Sequence, residues 1–151
     1  GISLGYIGIL LAIVQAGLLR IIIPKLGLAK SILLGLLFNS IALPLLGFAT
    51  TTWMLFAISV LYVSAGIAGP ALQSLVSNLT PKNEQGQIQG GIASIVSLTA
   101  IIGPPLMSNL FAYFTNKDAP YYFPGAPFIM GGLLAAIATA IALKYIRGKH
   151  G

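Results

Sequence analysis

The sequence predicts an all-α fold, a polytopic membrane bundle of five transmembrane helices, and three observations predict it. Only 7% of the 151 residues are charged, against roughly 25% in an ordinary soluble domain, while the mean hydropathy is +0.96. The charges are segregated, with none in 1–19, 31–81, 85–116 or 119–143. Each of these intervals holds one or two runs near the ~20 apolar residues that a spanning helix needs. The runs are unbroken rather than alternating over ~10 residues, which argues against a membrane β-barrel.

The first span is expected over 3–23. Gln15 lies near its middle, and an amide there needs a partner or water. Gly8, Ala12 and Ala16 form a ridge of small residues that lets another helix approach. The second span is expected over 28–48, with Asn39-Ser40 before Pro44 read as local relief for carbonyls that the proline frees. In the third, 52–75, Ser59, Tyr62, Gly66, Pro70, Gln73 and Ser77 recur at helical spacing and share one face. That stripe fits an aqueous pathway with a hinge at Gly69-Pro70; taken alone it fits better the small and hydroxyl residues that glue membrane helices. The fourth span, 86–114, opens on a glutamine-rich elbow that includes Gln89, and repeats the pattern with Gly86, Gly90, Ser94 and Ser97. Late in it, Gly103-Pro104-Pro105 removes helix hydrogen bonds and is expected to bend the helix. The fifth, 124–145, carries one hydroxyl, Thr139, and can face lipid over most of its surface. On polarity, spans one, three and four are expected inside and spans two and five at the periphery.

Seven of the eight basic residues (Arg20, Lys25, Lys30, Lys82, Lys144, Arg147 and Lys149) fall on one side, and only Lys117 on the other. The positive-inside rule puts the seven in the cytoplasm, the N-terminal end outside and the C-terminal end inside. Trp53, Tyr113, Tyr121, Tyr122 and Phe123 gather at the opposite boundary, as an interfacial aromatic belt does. The net charge of +6 therefore reads as a topology signal at span ends, with lipid headgroups as secondary contacts, and not as a nucleic-acid face. His150 sits in the basic tail and is expected to be disordered.

The two acids, Glu84 and Asp118, both lie in loops, so no intramembrane carboxylate is available for proton or cation coupling. No Ser/His/Asp constellation, metal-ligand cluster or phosphate loop occurs, and the reading is of a non-enzyme with no catalytic residue, metal or cofactor. Without cysteine there is no disulfide. The sequence does not begin with methionine and shows no secretory signal, and a piece of a longer chain is expected.

Gly66-Ile67-Ala68-Gly69-Pro70-Ala71-Leu72-Gln73-Ser74, then Gln85-Gly86-Gln87-Ile88-Gln89-Gly90, then Ser97-Leu98-Thr99 leading to Ile102-Gly103-Pro104, resemble helices ten and eleven of major facilitator superfamily drug antiporters. The specific likeness is to the tetracycline-resistance (TCR/Tet) efflux branch. Gly1 to Leu4 and Gln15-Ala16 resemble helix eight. Ala49-Thr50 with Trp53-Met54 resembles the outer turn before helix ten, and Tyr122 through Phe128 the start of helix twelve. The resemblance implies part of the C-terminal half of a 12-helix fold, helices eight to twelve, with helix ten on the central cavity and helices eight and eleven facing the other half. It further implies a bacterial cytoplasmic (inner) membrane, export of small amphipathic substrates in exchange for protons, and coupling acids mainly in the N-terminal half. Two features depart from the family. No acid accompanies Lys25, Gly27 and Lys30 in the loop after helix eight, so a gating salt bridge is not carried over. Gly103-Pro104 lacks the glycines of the antiporter signature.

The expectation is a transporter segment with Gln15, Ser59, Tyr62, Gly66, Pro70 and Gln73 along the substrate pathway. Gly86, Gln89, Gly90, Ser94, Ser97, Gly103 and Pro104 are the expected interface or gating positions. A metabolite uptake carrier of the same fold and a non-transporting five-helix subunit are the alternatives.

Overall fold

The computed structural model describes residues 2–148; the expectation for His150 lies outside them. Among the described residues there are five helical spans, built from seven α-helices and one π-turn. Span one comprises α1 (Ile2–Ile13), a π-helical turn (Val14–Leu18) and α2 (Leu19–Leu26); span two is α3 (Leu28–Phe48). Span three comprises α4 (Thr52–Ala65) and α5 (Ala68–Leu79), span four is α6 (Gln85–Thr115) and span five is α7 (Ala126–Gly148).

Local chemistry sets the boundaries. Gly27, at φ 84° and ψ 163°, makes the turn between spans one and two, a backbone region that side-chain-bearing residues avoid. Its carbonyl then receives both the Ser31 N–H at 3.1 Å and the Ser31 hydroxyl at 2.7 Å. A methyl group at Gly27 would meet no atom within 4 Å, so Gly27→Ala isolates the conformational cost. It is expected to lower stability by about 1–3 kcal/mol, read as a shift in the unfolding midpoint in detergent. Thr51 caps α4 by accepting the Met54 N–H at 3.4 Å. Pro127 falls in the first turn of α7, where an amide hydrogen is not required.

Two spans differ from the sequence expectation in their course. Span three is not one helix over 52–75 but two, interrupted at Gly66-Ile67, where Gly66 N–H turns to Val63 O at 3.0 Å and Ile67 N–H to Ser64 O at 3.4 Å. The break lies one turn before the expected Gly69-Pro70 hinge, because a proline cannot donate to the carbonyl four residues earlier, here Gly66. In span four, by contrast, α6 runs unbroken through Pro104 and Pro105.

The core follows close backbone approach. Antiparallel α3 and α7 make the most extensive helix pair. A Cβ on Gly125 would strike the Gly47 backbone, and one on Gly132 the Pro44 ring. Phe48 and Phe123 meet at the outer end with ring centroids 5.3 Å apart. On another side of α3, Gly35 lies against the break in span three, where an added Cβ would be 2.7 Å from Ala68 N and 2.9 Å from Ala65 O. Buried positions thus cluster on α3, span three and α7, including Ile32, Ala42, Val63, Ala71 and Ala135. The expected order of interior and peripheral spans is corrected accordingly. Span three is central, but within this chain spans two and five are the packed pair, while α6 has no buried residue and, among the described residues, none of span one between 5 and 26 is buried. Small residues mark close approach wherever it occurs, and polarity ranking overlooked those of spans two and five.

Candidate substrate pathway

The stripe on span three separates into two groups. At the inner end, Gln73 Nε2 donates to Gln89 Oε1 at 2.7 Å, and Gln85 Nε2 donates to the Ser77 carbonyl at 3.3 Å. Residues 73 and 77 are one turn apart on α5, as 85 and 89 are on α6, so the two bonds form an antiparallel ladder across the elbow. One expected pathway residue and one expected gating residue are therefore direct partners. Each amide keeps unused capacity, a carbonyl oxygen on Gln73 and an NH2 on Gln89.

The second group lies at the break. Tyr62 and Gly66 line a cleft of about 390 Å³ together with Ile7 and Leu11 of span one and Asn39 of span two. Tyr62 is 46% exposed, and Pro70, about two turns further on, is exposed. Ser59, half-buried above them, spends its hydroxyl on the Leu55 carbonyl at 2.6 Å, so it offers no donor to a ligand.

Gln15 joins neither group. It sits exposed within the π-turn, a local widening of the helix that is rare and often functional, and the sequence periodicity carried no sign of it. Span one also meets span three at its outer end, where Tyr6 and Phe56 pack edge-to-face at 4.8 Å. On α6, an added Cβ at Gly86, Gly90 or Gly103 meets nothing within 4 Å. Ser94 returns its hydroxyl to Gly90 O at 2.8 Å, and Ser97 and Pro104 are exposed. Helix α6 packs mainly on α7, so these positions are not used in packing among the described residues.

Asn39 is the residue that sequence reasoning misassigned. The expected relief of the carbonyl freed by Pro44, that of Ser40, is not made by its neighbours: the Ser40 hydroxyl donates to Leu37 O at 2.8 Å, and Asn39 Oδ1 is buried without a partner. The available signal was a lone amide in an otherwise apolar span.

Five long apolar helices, with polar groups gathered at a helix break and at an elbow, define an integral multi-pass membrane protein whose environment is lipid. Comparison narrows the class. The profile of the Major Facilitator Superfamily matches residues 1–150, and the chain belongs to that family. It is 38% identical over 112 residues to the tetracycline resistance protein, class C, of Escherichia coli, covering 74% of this chain and 28% of that protein. Against the class B protein of Escherichia coli the identity is 32% over 146 residues, 97% of this chain and 35% of the relative. Hippocampus abundant transcript 1 protein of Homo sapiens is 30% identical over 158 residues, covering 91% and 32%. The chain thus spans about a third of the length of these relatives. No solved structure gives a significant match.

Proposed function

We infer that the chain is the C-terminal portion, helices eight to twelve, of a drug-efflux transporter that exchanges a small amphipathic substrate, tetracycline-like in character, for protons. The observation that carries this reading is α6, a 31-residue apolar helix with no buried residue, where an added Cβ at Gly86, Gly90 or Gly103 meets nothing within 4 Å among the described residues. Such a face is suited to a second half-transporter that rocks against it around a midplane site. In that arrangement the break at Gly66-Ile67 and the Gln73–Gln89 bond border the pathway, with Gln15, Tyr62 and Pro70 along it. Gly86, Gly90, Ser94 and Ser97, with Gly103 and Pro104, then form the moving interface.

The spans contain no acid, so the coupling carboxylates belong to the absent half. The seven basic residues on one side favour an orientation with the N-terminal end of this segment outside and its C-terminal end in the cytoplasm, and the likeness to Escherichia coli proteins supports a bacterial inner membrane. The relatives named as tetracycline resistance proteins support drug export over metabolite uptake or a non-transporting subunit.

Gln73→Ala in the full-length transporter removes the donor to Gln89. It is expected to reduce drug efflux by about tenfold, the scale of one lost hydrogen bond on the pathway, with membrane insertion unchanged. Wild-type efflux in that variant removes Gln73 from the pathway. Seven further helices encoded upstream of Gly1, with an acid inside the first, are the expected genomic context; a start codon next to Gly1 refutes the reading.

A further inference from the structure

Helices α3 and α7 do not close on each other along their whole length. Toward the end of the bundle where the basic residues gather, Leu33, Leu34 and Leu37 of α3 and Thr139 and Leu143 of α7 leave a crevice of about 130 Å³. Leu37 and Leu143 are exposed along it. Thr139 is the polar residue in this lining, and its hydroxyl donates to the Ala135 carbonyl at 2.7 Å, so the crevice presents hydrocarbon to a guest. It falls well below the ~300 Å³ of pockets that enclose whole ligands, and an α-helix, ~10 Å across, is too wide for it. A single alkyl chain is not.

Charge stands at its mouth. Gly125 packs on Gly47 and Gly132 on Pro44, and this antiparallel register, continued through the crevice, sets Lys30 opposite Arg147. Lys30 is three and four residues from Leu33 and Leu34, and Arg147 four from Leu143, so each stands on the crevice face of its own helix one turn beyond the lining. Both are exposed, as is Lys144 beside Leu143. Neither helix carries an acid, since Glu84 and Asp118 lie in the loops before and after α6.

We propose that the α3–α7 crevice is a binding site for an anionic phospholipid of the phosphatidylglycerol type, one acyl chain lying along Leu33, Leu37 and Leu143 while the phosphate rests on Lys30 and Arg147. Basic residues at the membrane boundary between two helices complement an acidic headgroup. Arg147 can grip a phosphate through two N–H groups at once, and the apolar stems of both side chains reach toward the headgroup layer. The span from Lys30 to Leu37 is about 10 Å along the helix, so headgroup and upper acyl chain are held together. A zwitterionic lipid brings a cation that the cluster repels, and a soluble anion gains nothing from the crevice. The site lies on α3 and α7 alone, apart from α6, and does not rest on transport.

The test is photolabelling of the intact protein in phosphatidylcholine vesicles with a trace of phosphatidylglycerol bearing a diazirine in one acyl chain, mapped by peptide mass spectrometry. Adducts are expected at 33–37 and 139–143. The matching phosphatidylcholine probe is expected to label these peptides roughly twentyfold less, about fivefold for each of two basic residues. Lys30→Gln with Arg147→Gln is expected to bring the anionic probe down to that level, with five of the seven boundary cations left to hold the orientation. Arg20→Gln with Lys82→Gln removes equal charge from the same boundary and is expected to leave labelling unchanged. Salt at 1 M, where screening acts beyond ~3 Å, is expected to lower wild-type labelling, and this decides if the first paired variant fails to fold. Even labelling along all five spans, equal labelling by the two probes, undiminished labelling in folded Lys30→Gln/Arg147→Gln or at high salt, or an equal loss in Arg20→Gln/Lys82→Gln overturns the proposal.

Discussion

Gly132→Ala is expected to destabilise the bundle by about 3 kcal/mol, and Gly125→Ala by about the same, both at the upper end of ordinary overpacking costs. At Gly132 the new methyl meets the Pro44 ring, which has no rotamer to move into, and it also stands 3.3 Å from Ser40 O. At Gly125 it meets the backbone of Gly47 itself. Relief in either case requires α3 and α7 to separate, and this is the most extensive pair in the chain. The neighbouring position supplies the control. At Gly131 an added Cβ lies 3.2 Å from Leu43 Cδ1, the tip of a flexible side chain, so Gly131→Ala is expected within about 0.5 kcal/mol of wild type. Unfolding midpoints in detergent for the three variants check the series. Equal effects at 131 and 132 would show that helix propensity, and not the α3–α7 contact, governs stability there.

Pro70→Ala is expected to close the break in span three. The alanine N–H can donate to the Gly66 carbonyl, and loss of the pyrrolidine ring removes its clash with that carbonyl. Proline in a helix interior costs about 3 kcal/mol. Part of that is already relieved here by the 3₁₀-like bonds from Gly66 and Ile67, so a gain of about 1–2 kcal/mol is expected. Hydrogen exchange at residues 66–71 reads it directly, as slowing of about tenfold or more, since 1.4 kcal/mol is a factor of ten. In the intact transporter the same straightening is expected to lower turnover while drug binding persists. Unchanged exchange would place the cause of the break in α3 instead, where Gly35 presses on Ala65 and Ala68.

Much of the fold was legible because span placement is a local property. The expected second span, 28–48, coincides with α3, and the fourth and fifth differ from α6 and α7 by a few residues at their ends. Departures arose where backbone chemistry acts at a distance along the helix. Pro70 breaks span three four residues upstream of itself, whereas Pro104 and Pro105 leave α6 uninterrupted. The π-turn at Val14–Leu18 changes helical register without any change in residue type. Of the candidate pathway, Gln73 and Gln89 were picked out singly by their cost in lipid. That they bond to each other depends on how α5 and α6 leave the elbow. Asn39 was visible as an awkward amide, but its unpaired oxygen and its place in the cleft are consequences of how spans one, two and three meet.

By itself, the sequence determined the membrane class, the number of spans and nearly all their limits, and the family likeness. These depend on transfer of each segment from water to lipid, which sums over its own residues. The tertiary structure alone decided that spans two and five form the packed pair, that α6 remains uncovered, and that Asn39 faces the break in span three. In lipid a packed helix face need be no less apolar than a lipid-facing one, so hydropathy cannot say which faces meet. That choice falls to shape at small residues such as Gly35, Gly47, Gly125 and Gly132, and shape complementarity belongs to two helices at once.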